Sequence, residues 1–216
     1  MNKYNLGGHS GCQIYLIEED DGNVYVRKIS KNQEYNDRLK KQSEKQAEFS
    51  GEPIKSPKVF NQGYTEDGLF FFDMEYVQGV TLAEYIKTME IGKVKGLVEA
   101  LVSSLVPPQK AVISEDEKKM VSDVFNKKLS DLHEKLSGDN EVVDEALGLL
   151  EMHDWSKLTP SQCHGDMTLE NIIIRNDRLY FIDFLDSFYD SWFLDIGTLL
   201  QDVQVMWSYR FQNDVS

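Results

Sequence analysis

The chain is poor in cysteine, in long apolar runs and in positive charge, and each shortage excludes something. Its two cysteines, Cys12 and Cys163, stand far apart in 216 residues. They cannot build a disulfide framework or a thiolate metal cluster. No stretch reaches the ~18–20 apolar residues of a membrane span. Met1-Asn2-Lys3-Tyr4-Asn5 lacks the apolar core of a signal peptide. The expectation is a soluble, cytoplasmic protein without a membrane span. The formal net charge is −14, which sets the surface against phosphate backbones and argues against a nucleic-acid partner. Such acidity leans towards cationic or neutral small partners, and it serves solubility equally well.

What is present reads as an ordinary globular chain, 41% hydrophobic and 28% charged, long enough for one domain or two small lobes. Residues 1–76 read as mostly β. Cys12 to Glu18 is a short run of β-formers, Asp20-Asp21-Gly22-Asn23 is a hairpin turn, and Val24 to Ile29 is the return strand. Alternation puts Val24, Val26 and Lys28 on one face, so a buried face would require an anionic partner for the lysine. Gln33 to Phe49 reads as a polar helix, and Val59-Phe60 and Leu69 to Met74 as further strands. From Thr81 onwards the pattern is helical. Thr81-Leu82-Ala83-Glu84 and Ser114-Glu115-Asp116-Glu117 both fit capping boxes. Pro107-Pro108 breaks the region, Glu141 to Met152 is another helix, and Trp192 to Trp207 is the last. Between them, Ile172 to Ile174 and Leu179 to Ile182 form a hairpin turned at Asn176-Asp177. The fold class is α+β.

The chemistry concentrates in His164-Gly165-Asp166, Asn171 and Ile182-Asp183-Phe184. Phosphoryl transfer needs a carboxylate beside the acceptor hydroxyl and hard oxygen ligands for Mg²⁺. A short loop can carry Asp166 and Asn171, and a hairpin can return Asp183 opposite them. In that arrangement Asp166 is the catalytic carboxylate, Asn171 and Asp183 hold the metal, and His164 fixes the loop by hydrogen bonding. Taken singly, each would be a common loop residue; the three together are what point to this reaction. His133, His153 and Cys163 read as structural, and Trp155, Trp192 and Trp207 as core residues more often than as platforms for a cationic ligand.

The His-Gly-Asp loop, the interval of five to Asn171 and the later Ile-Asp-Phe resemble the aminoglycoside phosphotransferase and choline kinase family. Protein kinases have His-Arg-Asp and Asp-Phe-Gly at these places; here Gly165 replaces the arginine and Leu185 stands where the glycine would be. The resemblance implies a bilobal protein-kinase-like fold, with a β-rich N-lobe at 1–76, a hinge at 77–80 and a helical C-lobe at 81–216. It implies that Lys28 grips the non-terminal phosphates with Glu44 as its ion-pair partner and Glu48 as the alternative. The loop Leu6 to Gly11 resembles a phosphate-covering loop that places Ser10 near the phosphates. Glu75 and Val77 would bond the nucleobase through their backbone. Asp195 matches an aspartate that braces the catalytic loop. Asp186 is even between an acceptor ligand and a solvated carboxylate.

The function expected is transfer of the terminal phosphoryl group of ATP or GTP, with Mg²⁺, to a hydroxyl of an amino alcohol, aminoglycoside or sugar. A nucleotide-binding module without turnover and a protein kinase are the alternatives. The acceptor itself is not written in the sequence.

Overall fold

The computed structural model describes residues 1–7, 11–49, 54–106, 113–138, 140–176 and 178–210. It is α+β, with strands concentrated in the N-terminal part and helices in the C-terminal part. Two compact units emerge. The first comprises Met1–Val106, His164–Asp186 and Leu194–Ser216, and the second Pro107–Cys163 and Ser187–Phe193.

In the first unit the chain begins with strands β1 (Asn2–Asn5), β2 (Gln13–Glu18) and β3 (Val24–Ile29), followed by helix α1 (Asn36–Glu48). Strands β4 (Ile54–Lys55), β5 (Val59–Tyr64), β6 (Phe70–Glu75) and β7 (Val80–Thr81) come next. The sheet order β1-β2-β3-β6-β5 is antiparallel throughout. The β2–β3 hairpin closes where the Asp-Gly signal lies, with Gly22 at φ 88°, a backbone region in which a side chain is strained. Register pairs Val26 with Met74 and Lys28 with Phe72; Val26 and Lys28 pack on the face that parity gave them, while Val24 on the same face is exposed. Val26, Phe70, Phe72 and Met74 join Leu39 of α1 in one buried cluster. Lys28 lies on that face and is itself buried. α1 starts later than its composition suggests, because Gln33–Tyr35 is a 3-10 turn capped by the Asn32 side chain.

Helices α2 (Leu82–Thr88) and α3 (Ile91–Leu105) follow in the same unit. Thr81 and Glu84 make the expected reciprocal capping box. Strands β8 (Ile172–Arg175) and β9 (Arg178–Phe181) form the later hairpin and sit in a second sheet of order β4-β9-β8-β7. Gly79 is required there: a Cβ on it would stand 2.3 Å from the Ile174 carbonyl oxygen. Beneath this sheet Leu82, Leu101, Met167, Ile172, Phe181 and Phe184 form the larger buried cluster.

The second unit contains α4 (Glu115–Leu136) and α5 (Glu141–Glu151). Ser114 and Glu117 cap α4 reciprocally, and Val121, Phe125 and Leu129 bury one stripe of it. Trp155 stacks on Phe125 with ring centroids 4.4 Å apart, a core role as expected. Helix α6 (Trp192–Val205) begins in this unit and continues into the first. Among the described residues no helix is long and apolar enough to cross a membrane. The Pro107-Pro108 break and Asp177 lie outside the described residues.

Candidate active site

The segment between Cys163 and β8 has little regular structure, so its shape depends on side chains that accept its backbone N–H groups. Asp195, in the first turn of α6 and fully buried, accepts the N–H of His164 at 2.6 Å and of Gly165 at 2.8 Å. It is the brace the sequence implied. His164 holds the loop from within. Its Nε2 lies 2.6 Å from the Ile182 carbonyl and its Nδ1 accepts from the Asp166 N–H at 3.3 Å. One ring nitrogen donates and the other accepts, which is the neutral imidazole. Burial pushes the His164 pKa down, against the pull of Asp195, and favours the same form.

Asp166 is half-buried at the apex of this loop. Asn171 closes the turn behind it, donating from Nδ2 to the Asp166 carbonyl at 2.9 Å and to its carboxylate at 3.3 Å. The amide nitrogen thus faces Asp166 and its oxygen, a hard ligand, is the other end of the group. Burial raises the Asp166 carboxyl above the ordinary carboxylate range, with the charge of Asp183 in the same direction and the Asn171 hydrogen bond opposing it.

Asp183 follows β9 in the left-handed region, at φ 61°, which a non-glycine residue adopts at a cost. Its Oδ1 accepts from Lys28 Nζ at 2.8 Å. This corrects one expectation. The buried ammonium is paired with Asp183 and not with Glu44, which is exposed on α1. The reason is helical phase: α1 buries Leu39, Gln42, Ser43 and Gln46, and position 44 falls outside that stripe. Asp186 is held by Arg38, whose Nε lies 2.6 Å from its Oδ1. Ser10 lies outside the described residues.

The structure brings Lys28, Asp166, Asn171 and Asp183 to the wall of one cavity of about 520 Å³. A second cavity of about 310 Å³ is lined by Ile14, Val26, Met74, Glu75, Val77 and Asp183. Glu75 and Val77 therefore border a mainly apolar space that shares Asp183 with the catalytic side. Among the described residues no three His, Cys, Asp or Glu side chains converge on a common metal position. Asp183 and the Asn171 oxygen fit Mg²⁺ in another way. This ion takes one or two protein oxygens and completes its shell with water and substrate phosphates.

Three features escaped the sequence reading. Asp202, fully buried seven residues after Asp195 on α6, accepts from the Leu169 N–H at 2.7 Å and from the N–H and hydroxyl of Ser208 at 2.7 and 2.5 Å. The i, i+7 repeat of aspartates on one helix was the signal available for it. Trp207 is half-exposed and borders the catalytic cavity, where a core role had been favoured. Arg38 and Lys45 of α1 reach the segment after Asp183, and nothing in a polar helix distinguishes them beforehand.

No curated protein matches the chain in sequence. Solved structures do match in fold. A GDP complex of an aminoglycoside 2′-phosphotransferase-IIIa variant superposes with a TM-score of 0.62 at 20% identity, covering 99% of this chain and 77% of that one. A thermostable aminoglycoside phosphotransferase APH(4)-Ia variant in ternary complex with ADP and hygromycin B gives 0.59 at 15%, covering 99% and 79%. The amicoumacin kinase hAmiN, in complex with AMP-PNP, Ca²⁺ and Ami, gives 0.51 at 15%, covering 93% and 64%. The architecture is thus that of the aminoglycoside phosphotransferases, a protein-kinase-like fold. The sequence model of the phosphotransferase enzyme family (APH) matches residues 6–215, and the chain belongs to that family.

Proposed function

We propose that the chain is a small-molecule kinase that transfers the terminal phosphoryl group of ATP, or of GTP, to an alcohol. The observation that carries this reading is the convergence of Lys28, Asp166, Asn171 and Asp183 on one cavity, joined through Asp183 to the apolar space beside Glu75 and Val77. The sequence divides accordingly. Residues 1–76 carry the nucleotide side, 77–80 the hinge, and 81–216 the catalytic loop and acceptor side.

The base would lie among Ile14, Val26 and Met74, bonded by the Glu75 carbonyl and the Val77 N–H. Lys28 would turn from Asp183 to the non-terminal phosphates. Asp183 and Asn171 would hold Mg²⁺, which neutralises charge on the transferring phosphates. Asp166 orients the acceptor hydroxyl. As the acceptor oxygen bonds to the terminal phosphorus and the bridging P–O bond breaks, Asp166 takes the hydroxyl proton. Its raised pKa suits that late acceptance. The protein's contribution is mostly positioning and charge, as this reaction requires.

A cationic acceptor is the reading best supported. Glu84 and Glu170 border the catalytic cavity with Trp207. The chain already seats one cation there: the Arg210 guanidinium lies 4.4 Å from the Trp207 ring centroid, with Nη1 3.3 Å from Glu170 Oε2. An aromatic face beside a carboxylate suits an ammonium or guanidinium group. The folds matched include a protein solved with hygromycin B and an amicoumacin kinase, so an aminoglycoside, another antibiotic or an amino alcohol is preferred over a neutral sugar.

The test is nucleotide consumption, with ATP and GTP and Mg²⁺, over a panel of aminoglycosides, amino alcohols and sugars. Consumption that requires one acceptor class and disappears in Asp166→Ala supports the reading. Nucleotide binding without consumption on any acceptor, or label appearing on added protein, would replace it.

A further inference from the structure

Helix α1 does not supply the ion-pair partner of Lys28, yet it is not idle towards the site. Lys45 Nζ donates to the Leu185 carbonyl at 2.8 Å. Arg38 Nε donates to Asp186 Oδ1 at 2.6 Å. Phe49, at the C-cap of α1, packs on Phe184 with ring centroids 5.3 Å apart and on Phe181 at 5.5 Å. Positions 38, 45 and 49 are separated by seven and four residues and fall within about 40° of one line along the helix. One stripe of α1 therefore touches three consecutive residues, Phe184, Leu185 and Asp186, directly after Asp183.

We propose that Arg38, Lys45 and Phe49 are positioning residues that fix the direction of the Asp183 carboxylate. The inference rests on the reading of Asp183 as the ligand of the metal-bound nucleotide. The opposite side of the same segment is fixed independently, because the Leu185 N–H donates to the His164 carbonyl at 3.0 Å and Phe184 packs on the His164 ring at 4.5 Å. The segment is thus held between the catalytic loop and α1. Asp183 sits in a strained backbone conformation at its head, and such a conformation persists only where its surroundings over-determine it. The contacts from α1 supply that constraint.

This assigns Asp186 a role other than acceptor binding. The Arg38–Asp186 pair is well exposed, at 48% and 37% of the two side chains. Such pairs add little to global stability, so what it contributes is direction. The cation on α1 does for this segment what a carboxylate on the same helix was expected to do for Lys28.

Hydrogen exchange and calorimetry on the intact chain decide the matter. In Arg38→Ala and in Asp186→Ala, without nucleotide, amides of residues 184–186 should exchange roughly two- to fivefold faster, the range an exposed pair supports. Mg-ATP affinity should fall by a similar factor while Tm moves by no more than about 4 °C, the shift that about 1 kcal/mol gives a chain of this size. The double variant should be no worse than either single one, and the exchanged pair Arg38→Asp with Asp186→Arg should recover at least half of the loss. Wild-type exchange and affinity in Arg38→Ala would overturn the inference. So would an Asp186→Ala protein that loses acceptor affinity alone. If the unaltered chain binds no Mg-nucleotide, the proposed function fails, and the exchange arm still decides whether α1 holds the segment.

Discussion

The Lys28 ammonium and the Asp183 carboxylate are 2.8 Å apart but unequally buried, with 2% and 32% of their side chains exposed. Removing either partner should therefore have different consequences. Asp183→Ala strands a charge inside the protein and is expected to cost about 1–3 kcal/mol. Lys28→Met removes the buried charge and leaves a carboxylate that water can reach, so its cost should be smaller. Urea denaturation of both variants checks the order, and equal losses would contradict it.

Asp166→Ala should abolish turnover and leave Mg-nucleotide affinity within about threefold of the parent, a difference below 1 kcal/mol. Asp183→Ala should weaken both. Calorimetry beside the consumption assay separates the two roles. A turnover rate near that of the parent in Asp166→Ala would remove that residue from the mechanism.

His164 predicts a pH dependence of stability. Its folded pKa is depressed, chiefly by burial, below an unfolded value of about 6.5. The unfolded chain then binds the proton first as pH falls. Stability is fully present above about pH 6.5 and is lost on acidification towards the folded pKa, by at most about 1.4 kcal/mol per pH unit. Thermal unfolding between pH 8 and pH 5 should show the slope, and His164→Gln should flatten it.

Asp202→Ala leaves three donors without an acceptor, the N–H groups of Leu169 and Ser208 and the Ser208 hydroxyl. A loss of about 3 kcal/mol or more is expected. Ser208→Ala removes one of the three bonds and should cost about 1 kcal/mol. If the node also shapes the catalytic loop, a surviving Asp202→Asn protein should lose turnover more than nucleotide affinity.

Much of this was legible before the structure. Local signals carried far: the Asp-Gly turn, both capping boxes and the β-parity that buried Lys28 are each settled within a few residues. The convergence of Asp166, Asn171 and Asp183 on one cavity was legible because the first two share one loop and a hairpin returns the third. What did not read through were partners chosen in three dimensions. Glu44 was the partner the resemblance implied, but the phase of α1 turned it to solvent. Asp186 met Arg38 across a sequence interval that no local pattern encodes. Asp202 was hidden because a buried aspartate looks like a surface one until its donors are known. Trp207 was read as core because a tryptophan is more often core than cavity wall, and its exposure is set by where the chain leaves α6.

Helix α6 holds the catalytic loop at two points, through Asp195 on His164 and Gly165 and through Asp202 on Leu169. Seven residues of α-helix measure ~10.5 Å and return to nearly the same side. The helix therefore serves as a gauge block against which the loop is set. What the gauge fixes is the number of residues between the two aspartates. One residue added between them would swing the second carboxylate by about 100° and release the loop at Leu169, although every residue of the loop itself would be unchanged.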